Sequence, residues 1–144
     1  MNFEERINKK KLNVDCSFSS GEIYVDADRE KIERVIYNLF DNAIKFLLEG
    51  GDLSAKITAQ NNRAEITISD TGIGMNEEEQ KRAFERFYKA DSSRGMDKKG
   101  SGLGLSIVQG LLKMHGETIK LESEKYEGTT FKFSLPISKN ENIK

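Results

Sequence analysis

The sequence predicts an α+β fold, a two-layer α/β sandwich with helices on one face of a mixed, mostly antiparallel sheet. Three observations carry this. Residues 28–48 and 103–115 repeat apolar side chains at helical spacing. Shorter segments alternate apolar and polar residues and meet at polar turns. Helices and antiparallel strands come in blocks, which separates this class from strict strand–helix alternation. A chain of 144 residues is long enough for one real core and too short for two ordinary domains.

Taken in order, residues 3–10 are charged and helical in character. Leu12, Val14, Cys16 and Phe18 follow at period two, which predicts a half-buried strand. Ser19-Ser20-Gly21 reads as a turn and Ile23-Tyr24-Val25 as a short strand. Asp26 or Asp28 can cap the long helix, whose stripe is Ile32, Val35, Ile36, Leu39, Ala43 and Phe46, with Gly50-Gly51 as its stop. Residues 53–59 and 64–70 form a hairpin about Asn61-Asn62. Residues 76–84 suit a short capped helix. Residues 89–100 are too polar to pack and predict a mobile loop. Leu105, Val108, Leu111 and Leu112 stripe the second long helix, and residues 119–123 and 130–136 are the last strands, joined through Tyr126-Glu127-Gly128. The domain spans residues 11–137, with residues 1–10 as the joint to a preceding domain and 138–144 as a polar tail.

Composition narrows the function. Net charge is −1, from 23 basic and 24 acidic residues, so neither nucleic acid nor an anionic membrane is expected as the main partner. No apolar run approaches the roughly 18–20 residues that span a bilayer, and residues 1–11 lack the apolar core of a signal peptide. Cys16 is the only cysteine, which excludes an intrachain disulfide and a thiolate zinc cluster and suits a reducing, cytosolic setting.

Within the first long helix, Asn38-Leu39-Phe40-Asp41-Asn42-Ala43-Ile44-Lys45-Phe46 places Asn38 and Asn42 one turn apart, with Lys45 on the same face. Asn is a poor helix-interior residue because its amide competes for backbone hydrogen bonds. Two glycine clusters argue against a merely solvated face. Asp70-Thr71-Gly72-Ile73-Gly74 follows a strand, setting a carboxylate beside backbone that can approach a ligand closely. Gly100-Ser101-Gly102-Leu103-Gly104-Leu105 opens a helix, whose free N–H groups favour phosphate, and its leucines argue against a plain linker. Residues 95–101 come near a P-loop, but Ser101 stands where Lys is required. The dinucleotide fingerprint also fails, since the spacing here is Gly-x-Gly-x-Gly after a polar loop.

In this order the motifs resemble the ATP-binding catalytic domain of sensor histidine kinases, the Bergerat-type fold shared with gyrase, the mismatch-repair protein MutL and a heat-shock chaperone. Residues 38–46 are similar to the family's N box, residues 70–74 and 100–105 to its two glycine boxes, and Phe84-Glu85-Arg86-Phe87-Tyr88 to its F box. Lys113-Met114-His115-Gly116 and Gly128-Thr129-Thr130-Phe131 are similar to its closing segments. The resemblance implies that Asn42 binds magnesium through its amide oxygen, that Asn38 helps hold the metal–phosphate unit, and that Lys45 neutralises phosphate charge. It implies that Asp70 accepts a hydrogen bond from the adenine amino group, with Gly72 and Gly74 closing over the base and Thr130 nearby. Gly100, Gly102, Leu103, Gly104 and Leu105 are implied at the phosphates, Lys89 and Arg94 at the γ-phosphate from a mobile ATP lid, and Phe84 and Phe87 at the lid's base.

The implied activity is that of a protein-histidine kinase in two-component signal transduction, with ATP and magnesium as cofactors. The implied partners are a histidine-bearing helical dimerisation domain of the same parent protein, which is the phosphoacceptor, and a downstream response regulator. The parent is expected to be a membrane-anchored sensor with this part in the cytoplasm, and the isolated chain to be a monomer that does not phosphorylate itself. The ATP-hydrolysing branches carry Glu where this chain has Asn38. An amide takes no proton from water, which favours transfer over hydrolysis. An ATPase or ATP-gated module and a non-catalytic docking module remain as alternatives. His115 is the only histidine and lies outside any acceptor motif, so a structural place at a helix C-terminus is expected, where a cation complements the dipole. Glu117 replaces the family's second glycine there, and an altered turn is expected.

Overall fold

The computed structural model describes residues 3–18, 22–86 and 104–138. Its elements are α1 (Phe3–Lys10), β1 (Asn13–Phe18), α2 (Arg29–Phe46), β2 (Asp52–Gln60), β3 (Arg63–Asp70), α3 (Glu77–Arg82), α4 (Gly104–Met114), β4 (Lys120–Glu124) and β5 (Gly128–Pro136). The five strands lie in the order β1-β2-β3-β5-β4. Only β1 and β2 run parallel, joined across α2, and the other three pairs are antiparallel. The sheet is therefore mixed and open, and α2 and α4 pack on one face of it, as the periodicities predict.

The register sorts the faces. Ile66 pairs with Phe133 and Ile68 with Phe131, and all four are buried beneath α2 and α4. Their strand neighbours Glu65, Thr67, Ser69, Thr130 and Lys132 occupy the other, polar face, because successive side chains alternate. From above, Val35, Leu39, Val108 and Leu112 close the core with no exposed surface. The hairpin turn has Asn61 and Asn62 at φ 53° and 63°, the two left-handed residues of a type I′ connection, which Asn tolerates well. Asp28 caps α2 by accepting from the Lys31 N–H at 3.0 Å. Asn76 and Glu79 form a reciprocal capping box on α3.

Several expectations need correction. β1 is not half-buried: every residue from Asn13 to Phe18 is exposed, with Phe18 at 65%. It is the edge strand and pairs only with β2, so its core-side residues Val14, Cys16 and Phe18 lie beyond the helical layer; Leu12, just before it, is buried. Ile23-Tyr24-Val25 is not a strand but a single bridge from Val25 to Ile137, because the chain must turn into the α2 cap. α2 ends at Phe46, ahead of Gly50-Gly51, as Leu47 turns extended and buries fully against the core. Gly50 then forms a turn whose N–H bonds the Lys10 carbonyl at 2.8 Å. β5 begins at Gly128, two residues earlier than expected. The turn at residues 19–21 and the tail at 139–144 lie outside the described residues.

Leu39→Ala is expected to lower stability by about 2–5 kcal/mol, because a fully buried side chain between two helices and the sheet leaves a cavity that cannot collapse. Urea denaturation of both forms checks this.

Candidate functional site

α2 forms one wall of the site. Val35, Leu39 and Ala43 point into the core, while Asn38, Asn42 and Lys45 are half-buried on another side of the helix. A side chain at Gly104 would place its Cβ 3.8 Å from Asn38 Oδ1, so the N-terminus of α4 opens onto Asn38. Lys45 Nζ lies 3.0 Å from Asp41 Oδ2, one turn back. Leu105 packs, partly buried, against the core cluster.

The far end of α2 meets the first glycine turn. Ile73 N–H donates to the Phe46 carbonyl at 3.2 Å. A Cβ at Gly72 would run into that carbonyl oxygen, and one at Gly74, which sits at φ 65°, into the carbonyl of Glu124. Gly128, at φ 135°, meets the Asp70 carbonyl in the same way. These glycines are required by contacts of the protein with itself, whatever ligand they also face. Sequence reasoning missed Gly128 as a site residue; its place at the turn into a strand was the available signal.

Asp70 ends β3 on the helix side of the sheet, 8% exposed. Gly72 N–H donates to its Oδ1 at 2.9 Å. Burial pushes the carboxyl pKa up to about 6, against the opposing pull of hydrogen bonds from the Gly72 and Thr129 backbone. Its cross-strand partner is Thr129, while Thr130 pairs with Ser69 on the opposite face, where their hydroxyls are 2.8 Å apart. Thr130 therefore lies on the face of the sheet opposite Asp70, and Thr129, buried at 6%, is the threonine beside that carboxylate. Strand parity could have found it, since Thr129 is in phase with Phe131 and Phe133. Ser123 Oγ accepts from Met75 N–H and donates to the Gly128 carbonyl, both at 2.8 Å, so its 2.8 Å contact with Thr129 is donated by the threonine hydroxyl.

His115 ends α4 as expected but not as a cation. Its Nε2 accepts the Asp28 N–H at 3.0 Å, so the proton sits on Nδ1, 2.9 Å from the Leu111 carbonyl. The neutral ring ties the end of α4 to the cap of α2. The turn beyond it is intact: Gly116 N–H bonds Lys113 O and Glu117 N–H bonds Leu112 O, both at 2.9 Å, with Gly116 left-handed at φ 72°. Glu117 alters nothing in that turn and makes an ion pair with Arg63 at 2.5 Å. Phe84 packs edge-on to Phe131, with ring centroids 6.4 Å apart. Phe87, Lys89, Arg94, Gly100, Gly102, Leu103 and the loop at 89–100 lie outside the described residues.

An open mixed sheet under two helices, with a buried carboxylate and glycine turn at one end of α2 and the Asn38 amide facing a helix start, defines a class of nucleotide-binding domain. The chain belongs to the histidine kinase-, DNA gyrase B- and HSP90-like ATPase family, whose model matches residues 27–139. It is 35% identical over 126 residues to the sensor histidine kinase RppB of Synechocystis, covering 88% of this chain and 28% of RppB. It is 37% identical over 127 residues to the signal transduction histidine-protein kinase ArlS of Staphylococcus aureus, covering 85% and 28%. Histidine kinase P4 of Formosa agariphila is 39% identical over 123 residues, covering 83% of this chain and 9% of that protein. The chain thus spans less than a third of these relatives. Among solved structures, the catalytic domain of histidine kinase ThkA superposes with a TM-score of 0.79 at 29% identity, covering 93% of this chain and 86% of that one. The mycobacterial sensor histidine kinase MprB gives 0.79 at 28%, covering 93% and 90%. The fold is that of a histidine-kinase ATP-binding catalytic domain.

The Asp70 proton links stability to pH. Below about pH 4 the folded and unfolded chains both hold it. Between there and about 6 only the folded chain does, and above that the fold carries a buried charge. The Asp70 contribution therefore favours the fold at low pH and is lost as pH rises through this window. Asp70→Asn is expected to gain on the native chain between pH 4 and 7, by up to about 3 kcal/mol. Paired denaturation curves across that range measure it.

Proposed function

We propose that this chain binds magnesium-ATP along α2 and donates the γ-phosphoryl group to a histidine on a separate helical domain. The observation that carries the reading is that one helix joins two kinds of ligand group. Asn38 faces the start of α4, and eight residues on, Phe46 backs the glycine turn that presents Asp70. That separation is about 12 Å along the helix axis, which an extended nucleotide can bridge. Adenine lies at Asp70, which accepts the amino hydrogen bond, beside Thr129 and the turn at Gly72 and Gly74. The triphosphate runs toward Asn38, Asn42, Lys45 and the α4 N-terminus at Gly104; phosphate roles for Gly100, Gly102 and Leu103, and γ-phosphate roles for Lys89 and Arg94, rest on the family motifs alone.

The donor set suits magnesium carried by a phosphate chain. Asn42 and Asn38 offer neutral amide oxygens, and among the described residues no group of three or more His, Cys, Asp or Glu could hold a metal by itself. Asn42 holds the ion and Asn38 supports the unit; magnesium supplies charge neutralisation on the phosphate oxygens. Lys45 adds a cation from the protein. In the transfer, the bond from the γ-phosphorus to the bridging oxygen breaks, a phosphorus–nitrogen bond to the acceptor imidazole forms, and ADP leaves. With Asn38 in place of a carboxylate, the protein contributes positioning and charge rather than a base for water.

ThkA has been solved in complex with the response regulator TrrA, which supports a response regulator as the downstream partner. The acceptor domain would precede residues 1–10, in a membrane-anchored parent with this part in the cytoplasm. Among the described residues no helix is long and apolar enough to cross a membrane.

Calorimetric titration with ATP and magnesium is expected to give saturable one-to-one binding, and GTP to bind much more weakly because its 6-oxo group cannot donate to Asp70. Equal affinity for ATP and GTP would refute the Asp70 role. Asn42→Ala is expected to abolish magnesium-dependent binding; unchanged binding and phosphotransfer by that variant would refute the metal assignment. Steady ATP turnover by the chain alone would favour the ATPase reading, and no binding the docking-module reading.

A further inference from the structure

One carboxylate on α2 is shared between two cations from different parts of the chain. Asp41 Oδ1 pairs with Arg6 Nη1 of α1 at 2.7 Å, and Asp41 Oδ2 pairs with Lys45 Nζ at 3.0 Å. All three side chains are mostly buried, between 19% and 29% exposed, so solvent screens the triad only in part. α1 has eight residues and none is fully buried, too short to persist as an isolated helix, so its order depends on α2. The hold is specific. Phe3 stacks on Tyr37 with centroids 4.8 Å apart, Arg6 lies over the Phe3 ring at 5.6 Å, and Lys10 Nζ donates to the carbonyls of Ile44, Lys45 and Leu47 at 2.6, 3.2 and 3.0 Å.

Resting on the reading of α2 as the nucleotide wall, we propose that Arg6 and Asp41 are positioning residues that set the availability of Lys45 to the triphosphate. With α1 docked, Arg6 takes up much of the Asp41 charge and weakens its 3.0 Å hold on Lys45, so that phosphate can compete for the lysine. With α1 displaced, Asp41 binds Lys45 alone and holds its charge back. Occupancy of the phosphate subsite and docking of α1 therefore favour each other, as linkage requires. If α1 is the joint to a preceding helical domain, a movement of that domain reaches the phosphate subsite through two ion pairs. Only these two ion pairs carry this route; the Lys10 bonds to the Ile44, Lys45 and Leu47 carbonyls, beside Phe46, are a separate hold of α1 near the adenine end.

The test is calorimetric titration of the full chain with magnesium-ATP and, separately, with adenosine, in four forms: native, Arg6→Met, Asp41→Asn and the double variant, each checked for folding by circular dichroism. Arg6→Met is expected to weaken ATP binding about threefold to tenfold and leave adenosine binding unchanged. Asp41→Asn is expected to bind ATP more tightly than the native chain, and adding Arg6→Met to it to change nothing further. The same loss from Arg6→Met in both backgrounds would reduce Arg6 to a long-range field and overturn the proposal. Unchanged or weaker ATP binding by Asp41→Asn, or lost adenosine binding in Arg6→Met, would also overturn it. If Arg6→Met does not fold, Asp41→Asn decides the matter against Lys45→Met: its gain vanishes in that background if Asp41 acts through Lys45, and persists if it does not. A native chain that binds no ATP would overturn the nucleotide reading together with this proposal. Native binding with an unchanged Arg6→Met removes the proposal alone.

Discussion

The Asp70 carboxylate is buried at the end of β3, and its surroundings follow from the need to keep it there. A carboxylate removed from water must find donors, and backbone N–H groups at Gly72 and Thr129 supply them. Backbone can come that close only where no Cβ intervenes. Gly72 therefore lies against the end of α2, Gly74 against the end of β4, and Gly128 against β3 itself. The buried carboxyl thus sits where a helix terminus and the ends of three strands meet. That junction leaves a strong acceptor poised at the edge of the core, the kind of group that discriminates between bases by hydrogen bonding.

α2 shows how the same helix serves the core and the site. Its apolar stripe packs fully against α4 and the sheet, and the two asparagines, poor helix formers by themselves, are carried by that packing. Its polar side is not simply solvated. Asp41 engages Arg6 and Lys45, and Lys10 closes the terminal carbonyls that neighbour Phe46. The N-terminal helix therefore supports the C-terminal half of the wall: Arg6 pairs with the carboxylate that also holds Lys45, and Lys10 closes the carbonyls behind the glycine turn. His115 supports the opposite end by tying the cap of α2 to the end of α4.

Much of this was legible along the chain. The α2 and α4 stripes, the Asn61-Asn62 turn, the Asn76 capping box and the strands on either side of the hairpin are local patterns, in which neighbours three, four or two residues apart decide the outcome. The order of the asparagine and glycine motifs was likewise written in residue types. What went astray had non-local causes. β1 has the alternation of a half-buried strand and is exposed because it stands at the sheet edge. Thr130 and Thr129 are adjacent in a repeated residue pair, and only the register with Asp70 decides which faces the helices.

The sequence by itself determined the class of fold and the order of its asparagine and glycine motifs, because periodicity, capping and residue chemistry act over one or two turns of chain. Only the tertiary structure decided that Asp70 is partnered by Thr129, that the glycines are demanded by carbonyls from distant elements, that His115 is neutral, and that Asp41 divides its charge between α1 and Lys45. Each of these depends on groups as many as 87 residues apart meeting within hydrogen-bonding distance, and no local pattern records which distant atom will arrive there.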